Sequence, residues 1–529
     1  MTEDRKIVQV RDDGDYIDLD LPAGAVPRGT FLGKDRNGAD TYEPAFELDI
    51  FSVSPSGDKG SFEKVSVITV EQDCPCVEVF AGPYSAIVST NESLAVFDHK
   101  TGQLEKTAPE ASIGRFIPVV LKDPCEGTLG DSDIGWFIGM LVSDGWITER
   151  CVGLAKLEDA KRERFIRIAR TKICDNFTVH EYAGTKGKDK LGDSMKIHLT
   201  GKDLPDILHK WGFYDGGTGA LHKTIPAEYL FNGSPECLKG ILAGLIDGDG
   251  SMVCNTTFKN PRYSCKVSTS SKPLVKALKM LMFRLGLRWS LTTTPPRGHS
   301  KESYAFCPST VDVRKILAEL DFTGEREREI SAMWQDSPPH KDEAVIPITE
   351  AEFTDLRKAC LAAKRMAPYH GLKNVLYKYV TRALVDNYTD IVREYAPELY
   401  KRRHSDIIWT TLDKTEDAGT REVFDFEVPS TKVFMVNGGM IIWDTMSYSV
   451  PVSQKAVQEA VEKMMPEKNL LYVRDRGPTY VPSSEYLQGL YLGTRRPKDK
   501  APKVFAGKEE AMQAYRSGEI AVDDPIVIR

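Results

Sequence analysis

The sequence predicts a multidomain α+β protein in which two related modules of helices and strands lie between β-rich segments. With 529 residues, the chain is long enough for three or four domains. Residues 135–145 and 240–250 share the pattern G-x-x-x-G-x-x-x-x-D-G at a constant offset of 105 residues. Short alternating strands with glycine-containing turns are predicted within residues 45–122 and 421–445, and a short α-rich tail follows.

The composition excludes several classes of protein. The ten cysteines form no C-x-x-C pair, so we expect free thiols in a reducing compartment and no zinc site. The charged N-terminus lacks the apolar core of a signal peptide, and no apolar run reaches about 18 residues. We therefore expect a cytoplasmic monomer with no membrane partner.

The repeated glycines predict an unusually close contact between two helices. Residues four apart lie on one helical face, so Gly135 with Gly139, and Gly240 with Gly244, form smooth stripes. Two such stripes allow backbones to approach closely. If the two helices pack parallel, Asp144 and Asp249 emerge together at one end, each followed by a glycine.

Two adjacent carboxylates predict a site for a divalent cation. The carboxylates of Asp144 and Asp249 repel one another, and a cation relieves that repulsion. Oxygen ligands with positions left for water suit Mg²⁺, which can support phosphodiester hydrolysis. The alternative is that each Asp-Gly pair is only a turn after a buried helix, and two copies at matching spacing disfavour it.

These residues resemble the LAGLIDADG homing endonucleases. "LAGLIDGDG" at residues 242–250 differs from the family motif at one letter, and "FIGMLVSDG" at 137–145 is a looser copy. The resemblance covers residues 126–347 and implies a pseudo-twofold αββαββα pair that forms a saddle on double-stranded DNA. It implies that Asp144 and Asp249 are catalytic metal ligands. It also assigns catalytic lysines to Lys223 in "LHKTIP" and to Lys341 in "PHKDEAVIP".

A local excess of positive charge supports a nucleic-acid partner. The net charge is −7 for the whole chain, but residues 251–301 contain ten Lys or Arg and no Asp or Glu. Phosphate contacts require such an excess, although a solvated basic face is the alternative. The residues expected to contact DNA are Lys259, Arg262, Lys266, Arg284, Arg288 and Arg297.

The β-rich segments resemble the two halves of an intein, an all-β Hint splicing domain that is interrupted by its endonuclease. The halves would be residues 41–125 and 406–444, with "VFDFEV" and "VFMVNGG" ahead of the junction. The resemblance implies splicing roles for Asp425, Trp443, Asp444 and Thr445, with the Thr445 hydroxyl as acyl acceptor.

Several positions depart from the splicing pattern. Arg36 stands where the first nucleophile is usual, and Glu92, Lys432 and Trp443 replace three expected histidines. Asp444 replaces the terminal asparagine. We therefore expect cleavage at Asp444–Thr445 rather than complete splicing, unless a separate upstream polypeptide supplies the N-terminal part.

The remaining segments complete the predicted organisation. Residues 445–529 resemble a short α-rich fragment of the β′ subunit of bacterial-type RNA polymerase, with "SVPVS" and "VPSSEYLQGLY" as the matching motifs. Residues 348–405 are a helical linker or an accessory DNA-binding region, and residues 1–40 match no recognisable pattern. A catalytically inactive nucleic-acid-binding protein within a degenerate intein and polymerase fragment is the alternative to an endonuclease.

Overall fold

The structure is a computed structural model, and it divides into two units, residues 1–447 and residues 448–529. The residues that it describes are 5–10, 15–18, 24–25, 28–34, 39–45, 48–123, 126–156, 158–183, 195–257, 261–296, 301–365, 372, 378–436, 438–444, 501–520 and 524–529. Lys259, Arg297, Thr445 and both polymerase-like motifs lie outside these residues.

The first unit begins with strands. They are β1 (Arg5–Val10), β2 (Asp15–Asp18), β3 (Gly24–Ala25), β4 (Arg28–Lys34), β5 (Asp40–Pro44), β6 (Leu48–Val53), β7 (Gly60–Lys64), β8 (Val67–Ala81), β9 (Tyr84–Ser89), β10 (Ser93–Phe97), β11 (Leu104–Thr107) and β12 (Phe116–Val120).

Two halves with the same order of elements follow. The first contains α1 (Ser132–Asp144), β13 (Gly145–Ile147), β14 (Cys151–Ala155), α2 (Asp159–Ile168), β15 (Thr178–Ala183), β16 (Met195–Thr200) and α3 (Asp203–Trp211). After α4 (Ala227–Asn232), the second contains α5 (Pro235–Asp247), β17 (Gly250–Asn255), β18 (Arg262–Thr269), α6 (Lys272–Leu285), β19 (Trp289–Thr294), β20 (Ser303–Pro308) and α7 (Thr310–Ile316), and α8 (Glu325–Asp336) follows.

The two halves have equivalent sheets. Their strand orders are β13-β14-β16-β15 and β17-β18-β20-β19, and every neighbouring pair is antiparallel. Each half therefore reads α-β-β-α-β-β-α, which is the order that the LAGLIDADG resemblance implies. One face of each sheet is apolar and covered, with Ile197 and Leu199 fully buried in the first half and Phe306 in the second.

Helices α1 and α5 lie side by side and parallel along the predicted glycine stripes. A Cβ atom added to Gly135 would lie 2.0 Å from the carbonyl oxygen of Cys237, and one added to Gly139 would lie 2.3 Å from that of Ile241. A Cβ on Gly244 would lie 2.2 Å from the carbonyl oxygen of Trp136. The absence of side chains at these positions lets the two backbones touch, which brings both helix ends to one place.

The glycines that follow the motif-final acids have a different role from the one predicted. We expected helix-terminating glycines, but Gly145 has φ −90° and begins strand β13 directly. A Cβ there would lie 2.4 Å from Leu141 Cδ1, and one on Gly250 would lie 2.3 Å from Ile246 Cα. These glycines allow each strand to turn back tightly against the helix that precedes it.

A helical layer follows the second half. It contains β21 (Val345–Pro347), α9 (Glu350–Ala362), β22 (Tyr379–Thr381), α10 (Arg382–Asn387), α11 (Thr389–Tyr395) and α12 (Pro397–His404). Phe353, Leu356 and Leu399 are buried in a cluster with side chains of the flanking strands, including Phe97 and Trp409. This segment therefore shares a hydrophobic core with the β structure around it.

The segments on either side of the two halves pair with each other. The later strands are β23 (Ile407–Thr411), β24 (Lys414–Glu427), β25 (Val433–Val436) and β26 (Met440–Trp443). Strand β24 pairs antiparallel with β8, β23 with β12, and β26 with β10 and β12. Strands before and after the insert thus build common sheets, which is the pairing that a divided β domain requires.

The second unit is small within its described residues. Strands β27 (Lys503–Phe505) and β28 (Ile526–Ile528) are parallel, and helix α13 (Lys508–Arg516) lies between them in sequence. Phe505, Ala511, Ala514 and Ile520 form its buried cluster. In the described residues of both units, every helix is too short or too polar to span a bilayer.

Replacement of Gly244 by alanine tests the helix contact. Helix propensity alone favours alanine by about 1 kcal/mol. Because the new Cβ overlaps the carbonyl oxygen of Trp136, we expect Gly244→Ala to lower the free energy of unfolding by about 1–3 kcal/mol instead. Denaturant unfolding monitored by tryptophan fluorescence measures the change. The exposed Glu236 on the same helix provides the control, and Glu236→Ala should change stability by less than about 0.5 kcal/mol.

Candidate active site

The two motif-final acids meet at the common end of α1 and α5. Asp144 is the last residue of α1, and Asp249 follows the end of α5 by two residues. Lys156, just after β14, forms an ion pair with Asp144 at 2.7 Å (Nζ to Oδ2) and donates a hydrogen bond to the carbonyl oxygen of Gly248 at 2.9 Å. A single ammonium group therefore links the ends of both motifs.

The charge of Asp144 acts on Asp249. Partial desolvation in the groove raises the pKa of Asp249, and the negative charge of Asp144 raises it further. Lys223 and Lys156 oppose both effects. A bound cation can relieve the repulsion that raises the pKa of Asp249.

Lys223 lies in the same groove as the acids. Its ammonium group donates a hydrogen bond to the carbonyl oxygen of Ser143 at 2.7 Å. Burial lowers the pKa of Lys223 from its ordinary value, although the charges of Asp249 and Asp144 partly oppose this shift. A lysine with a depressed pKa can exchange a proton more readily near neutral pH.

The structure does not bring the other predicted lysine to this site. Lys341 is exposed, and the described contacts link it with neither acid. The neighbouring Asp342 instead forms ion pairs with Arg288 and Arg382. The second lysine of the site is Lys156, which no sequence motif identified because its distance from Asp144 depends on the length of the β13–β14 hairpin.

Asp247 lies two residues before Asp249 and has a different role. Its side chain accepts hydrogen bonds from the Trp136 indole at 2.7 Å and from the backbone of Thr323 and Gly324 at 2.7 and 3.2 Å. Lys161 donates to its carbonyl oxygen at 2.9 Å. Asp247 therefore joins α5 to α1 and to the segment that precedes α8.

The donor set fits a hard divalent cation. Two carboxylates converge there. The carbonyl oxygens of Ser143 and Gly248, which accept hydrogen bonds from Lys223 and Lys156, lie beside them. In the described part of the chain, no cluster of three or more His, Cys, Asp or Glu side chains is present. A small cation that keeps several waters needs only one or two carboxylates, so two acids are sufficient.

The predicted DNA-contact residues separate into three groups. Arg262 and Lys266 lie on the exposed face of β18, opposite the covered apolar face. Lys259 and Arg297 lie outside the described residues. The prediction was wrong for Arg284 and Arg288, whose guanidinium groups are engaged inside the protein.

Both arginines neutralise carboxylates of the fold. Arg284 is buried and forms an ion pair with Asp123 at 2.7 Å. Arg288 pairs with Asp312 at 2.6 Å and with Asp342 at 2.7 Å. The helical period indicated that Arg284 is buried, because Arg284 lies three residues after the buried Leu281 and therefore on the same face of α6.

The three described residues that were assigned to splicing, Asp425, Trp443 and Asp444, lie in or just after the last strands. Asp444 is buried, its carboxylate accepts a hydrogen bond from the Val428 backbone at 2.9 Å, and burial raises its pKa. Trp443 is half-buried in β26. Asp425 lies on β24 opposite Thr69 of β8, away from the end of β26 in sequence.

Part of the chain matches a known protein family. Residues 236–330 match the family described as LAGLIDADG-like domain. The homing endonuclease I-WcaI bound to its DNA recognition sequence is similar over 36% of this chain and 80% of that chain, with 15% identity and a TM-score of 0.25. I-DmoI in complex with DNA and Mn is similar over 36% of this chain and 96% of that chain, with 12% identity and a TM-score of 0.23. The predicted LAGLIDADG domain is confirmed for the matched residues.

The chain is also similar to RNA polymerase subunits. It is 24% identical to subunit Rpo1C of Methanocaldococcus jannaschii over 376 residues, which are 67% of this chain and 40% of that protein. It is 38% and 40% identical over 87 residues to the β′ subunits of Porphyromonas cangingivalis and Thermus aquaticus. That match covers 16% of this chain and only 8% and 6% of those subunits.

Two substitutions near the end of α5 should change stability in opposite directions. Because the folded protein raises the pKa of Asp249, its ionised form destabilises the fold above that pKa and the effect disappears in acid. We expect Asp249→Asn to unfold at a higher temperature in EDTA at neutral pH, with a difference that shrinks as the pH falls through the raised pKa and disappears below the ordinary aspartate value.

Asp247→Ala provides the contrast. It leaves the Trp136 indole and two backbone N–H groups without their acceptor, which costs about 1–3 kcal/mol for each buried group. Thermal unfolding across pH measures both variants. A lower melting temperature for Asp249→Asn at neutral pH contradicts the proposed electrostatic strain.

Proposed function

We propose that this protein is a site-specific endonuclease that hydrolyses phosphodiester bonds in double-stranded DNA with Mg²⁺. The observation that carries the proposal is the convergence of Asp144 and Asp249 at the junction of two equivalent sheets, with Lys156 and Lys223 in the same groove. Both sheets have an exposed face on the side opposite the helical core. The endonuclease lies within a divided β domain of intein type, in a prokaryotic or phage-encoded cytoplasmic protein.

The two acids would hold the metal, which when bound would make water more acidic and would stabilise a leaving oxygen. Asp144 and Asp249 belong to different halves, so each half contributes one ligand to a shared position. The parallel helices fix their separation, because the backbones cannot approach further or slide without overlap of the glycine contacts.

Lys223 and Lys156 act on the proton and on the phosphate charge. Lys223, whose pKa is lowered by burial, accepts a proton from the attacking water or orients that water. Lys156, which forms an ion pair with Asp144, stabilises the negative charge that develops on the phosphate. The exposed Arg262 and Lys266 of β18 bind the phosphate backbone of the duplex.

A cleavage assay tests the proposal. A supercoiled plasmid library with randomised inserts is incubated with the protein and Mg²⁺, and sequencing of the ends identifies the target. On that target, we expect Asp144→Asn and Asp249→Asn to lose activity by about 10³-fold or more, and Lys223→Met by about 10²–10³-fold, since each removes a group that acts on the transition state.

Lys341→Met is the matched control, because Lys341 is an exposed lysine without a described contact to either acid. It should cleave at nearly the rate of the unchanged protein. DNA binding without cleavage by the unchanged protein, under all metal conditions, favours the inactive DNA-binding alternative.

A second activity is supported by the burial of Asp444. The carboxylate is held by the Val428 backbone next to its own main chain, whose N–H donates to the carbonyl oxygen of Lys432 at 2.8 Å. We propose that a carboxyl oxygen attacks the Asp444 carbonyl carbon and forms a cyclic anhydride. The bond to Thr445 breaks, the Thr445 nitrogen leaves as an amine after it takes up a proton, and water opens the anhydride.

Intact mass spectrometry of the incubated chain tests this cleavage. We expect one new pair of fragments, residues 1–444 and 445–529, and no fragments from Asp444→Ala. Asp417→Ala, which replaces an exposed aspartate on β24, should cleave normally. A chain that stays intact in every buffer, or an Asp444→Ala chain that still cleaves there, contradicts the proposed chemistry.

A further inference from the structure

The exposed face of the first sheet carries an unusual row of side chains. Its four strands place Trp146, Gly153, His198 and His180 opposite one another in register. Trp146 lies two residues after Asp144, so the row begins beside the proposed cleavage site. His180 is exposed, and the neighbouring Tyr182 is 50% exposed.

The row is packed as a unit. A Cβ on Gly153 would lie 2.1 Å from the Trp146 indole, so the indole lies across the glycine. The ring centroids of Trp146 and His198 are 5.6 Å apart at 85°, and those of Tyr182 and His198 are 4.8 Å apart. Aromatic neighbours at these distances hold the His198 imidazole in place.

The equivalent row of the second sheet has different chemistry. Ser251 pairs with Lys266, and Ser290 pairs with Cys307. Lys266 occupies the position equivalent to Gly153, because Leu154 and Val267 pair with the glycines after the two motif acids. The second half thus has a lysine, Lys266, in this row, and the first half has two histidines.

We propose that His180 and His198 bind DNA phosphates of one half-site only when they are protonated. The affinity of this half of the protein for DNA then depends on pH. The inference rests on the proposed endonuclease function. Histidine is the side chain whose charge changes between about pH 5 and pH 8. Duplex DNA supplies closely spaced phosphates, and each protonated imidazole adds one neutralising contact.

The groups that face the two histidines favour this assignment. From β14, Cys151 and the side-chain-free Gly153 face the row, and Trp146 faces it from β13. On the histidines' own strands, Lys196 and Tyr182 pair with each other on the same face. Among these described neighbours there is no carboxylate, since Glu181 alternates to the other side, so an external anion is the available partner.

Titration of DNA binding in EDTA tests the proposal without cleavage. Anisotropy of a fluorescein-labelled duplex of mixed sequence gives the binding constant across a salt series at about pH 5.5 and about pH 8. Each neutralised phosphate steepens the slope of log K against log salt by about 0.9, so we expect a slope steeper by about 1.8 at the lower pH. The double variant His180→Gln/His198→Gln should lose this difference.

His209→Gln is the matched control, because His209 is an exposed histidine on α3, which packs on the covered side of the sheet. It should keep the full change of slope. Circular dichroism at both pH values shows whether each variant is folded. A pH-independent slope in the unchanged protein, or an equal change in the double variant, overturns the inference and leaves the endonuclease proposal intact. Failure to bind DNA at either pH overturns both.

Discussion

The contact between α1 and α5 is the constraint on which the rest of this unit depends. Four glycines allow carbonyl oxygens of one helix to lie where side chains of the other would be. Because this contact is between backbones, it fixes the helices with little freedom in distance or register. The strands turn back directly from the helix ends, so the same contact also fixes how the two sheets are arranged around the acids.

The acids at this junction show how neighbouring residues divide structure and chemistry. Asp247 has three donors and is almost inaccessible, so its charge is used within the fold. Asp249 is exposed to the groove and faces another acid and two ammonium groups. A helix that ends in two carboxylates is unfavourable by itself, and the structure compensates one acid with hydrogen bonds while it leaves the other available.

The sequence predicted those features that depend on short, fixed spacings. The parallel glycine contact and the meeting of Asp144 with Asp249 follow from a pattern within eleven residues. The α-β-β-α-β-β-α order follows from the family resemblance that this pattern carries. Lys156 was not identified from the sequence, because its distance from Asp144 depends on the length of the β13–β14 hairpin. Arg284 and Arg288 were misassigned because a count of charges along the chain does not show which are neutralised by distant acids such as Asp123 and Asp342.

The pairing of β12 with β23 has a consequence for how the chain becomes folded. Val120 and Ile407 are register partners, and the whole insert lies between them. At typical rates of about 5–20 residues per second, a ribosome needs roughly 15–60 s to make that insert. The first strands therefore remain with their edges unpaired while the two inserted halves are synthesised and fold. Rapid, local assembly of those halves brings the ends of the interrupted domain together and shortens the search that the late strands must complete.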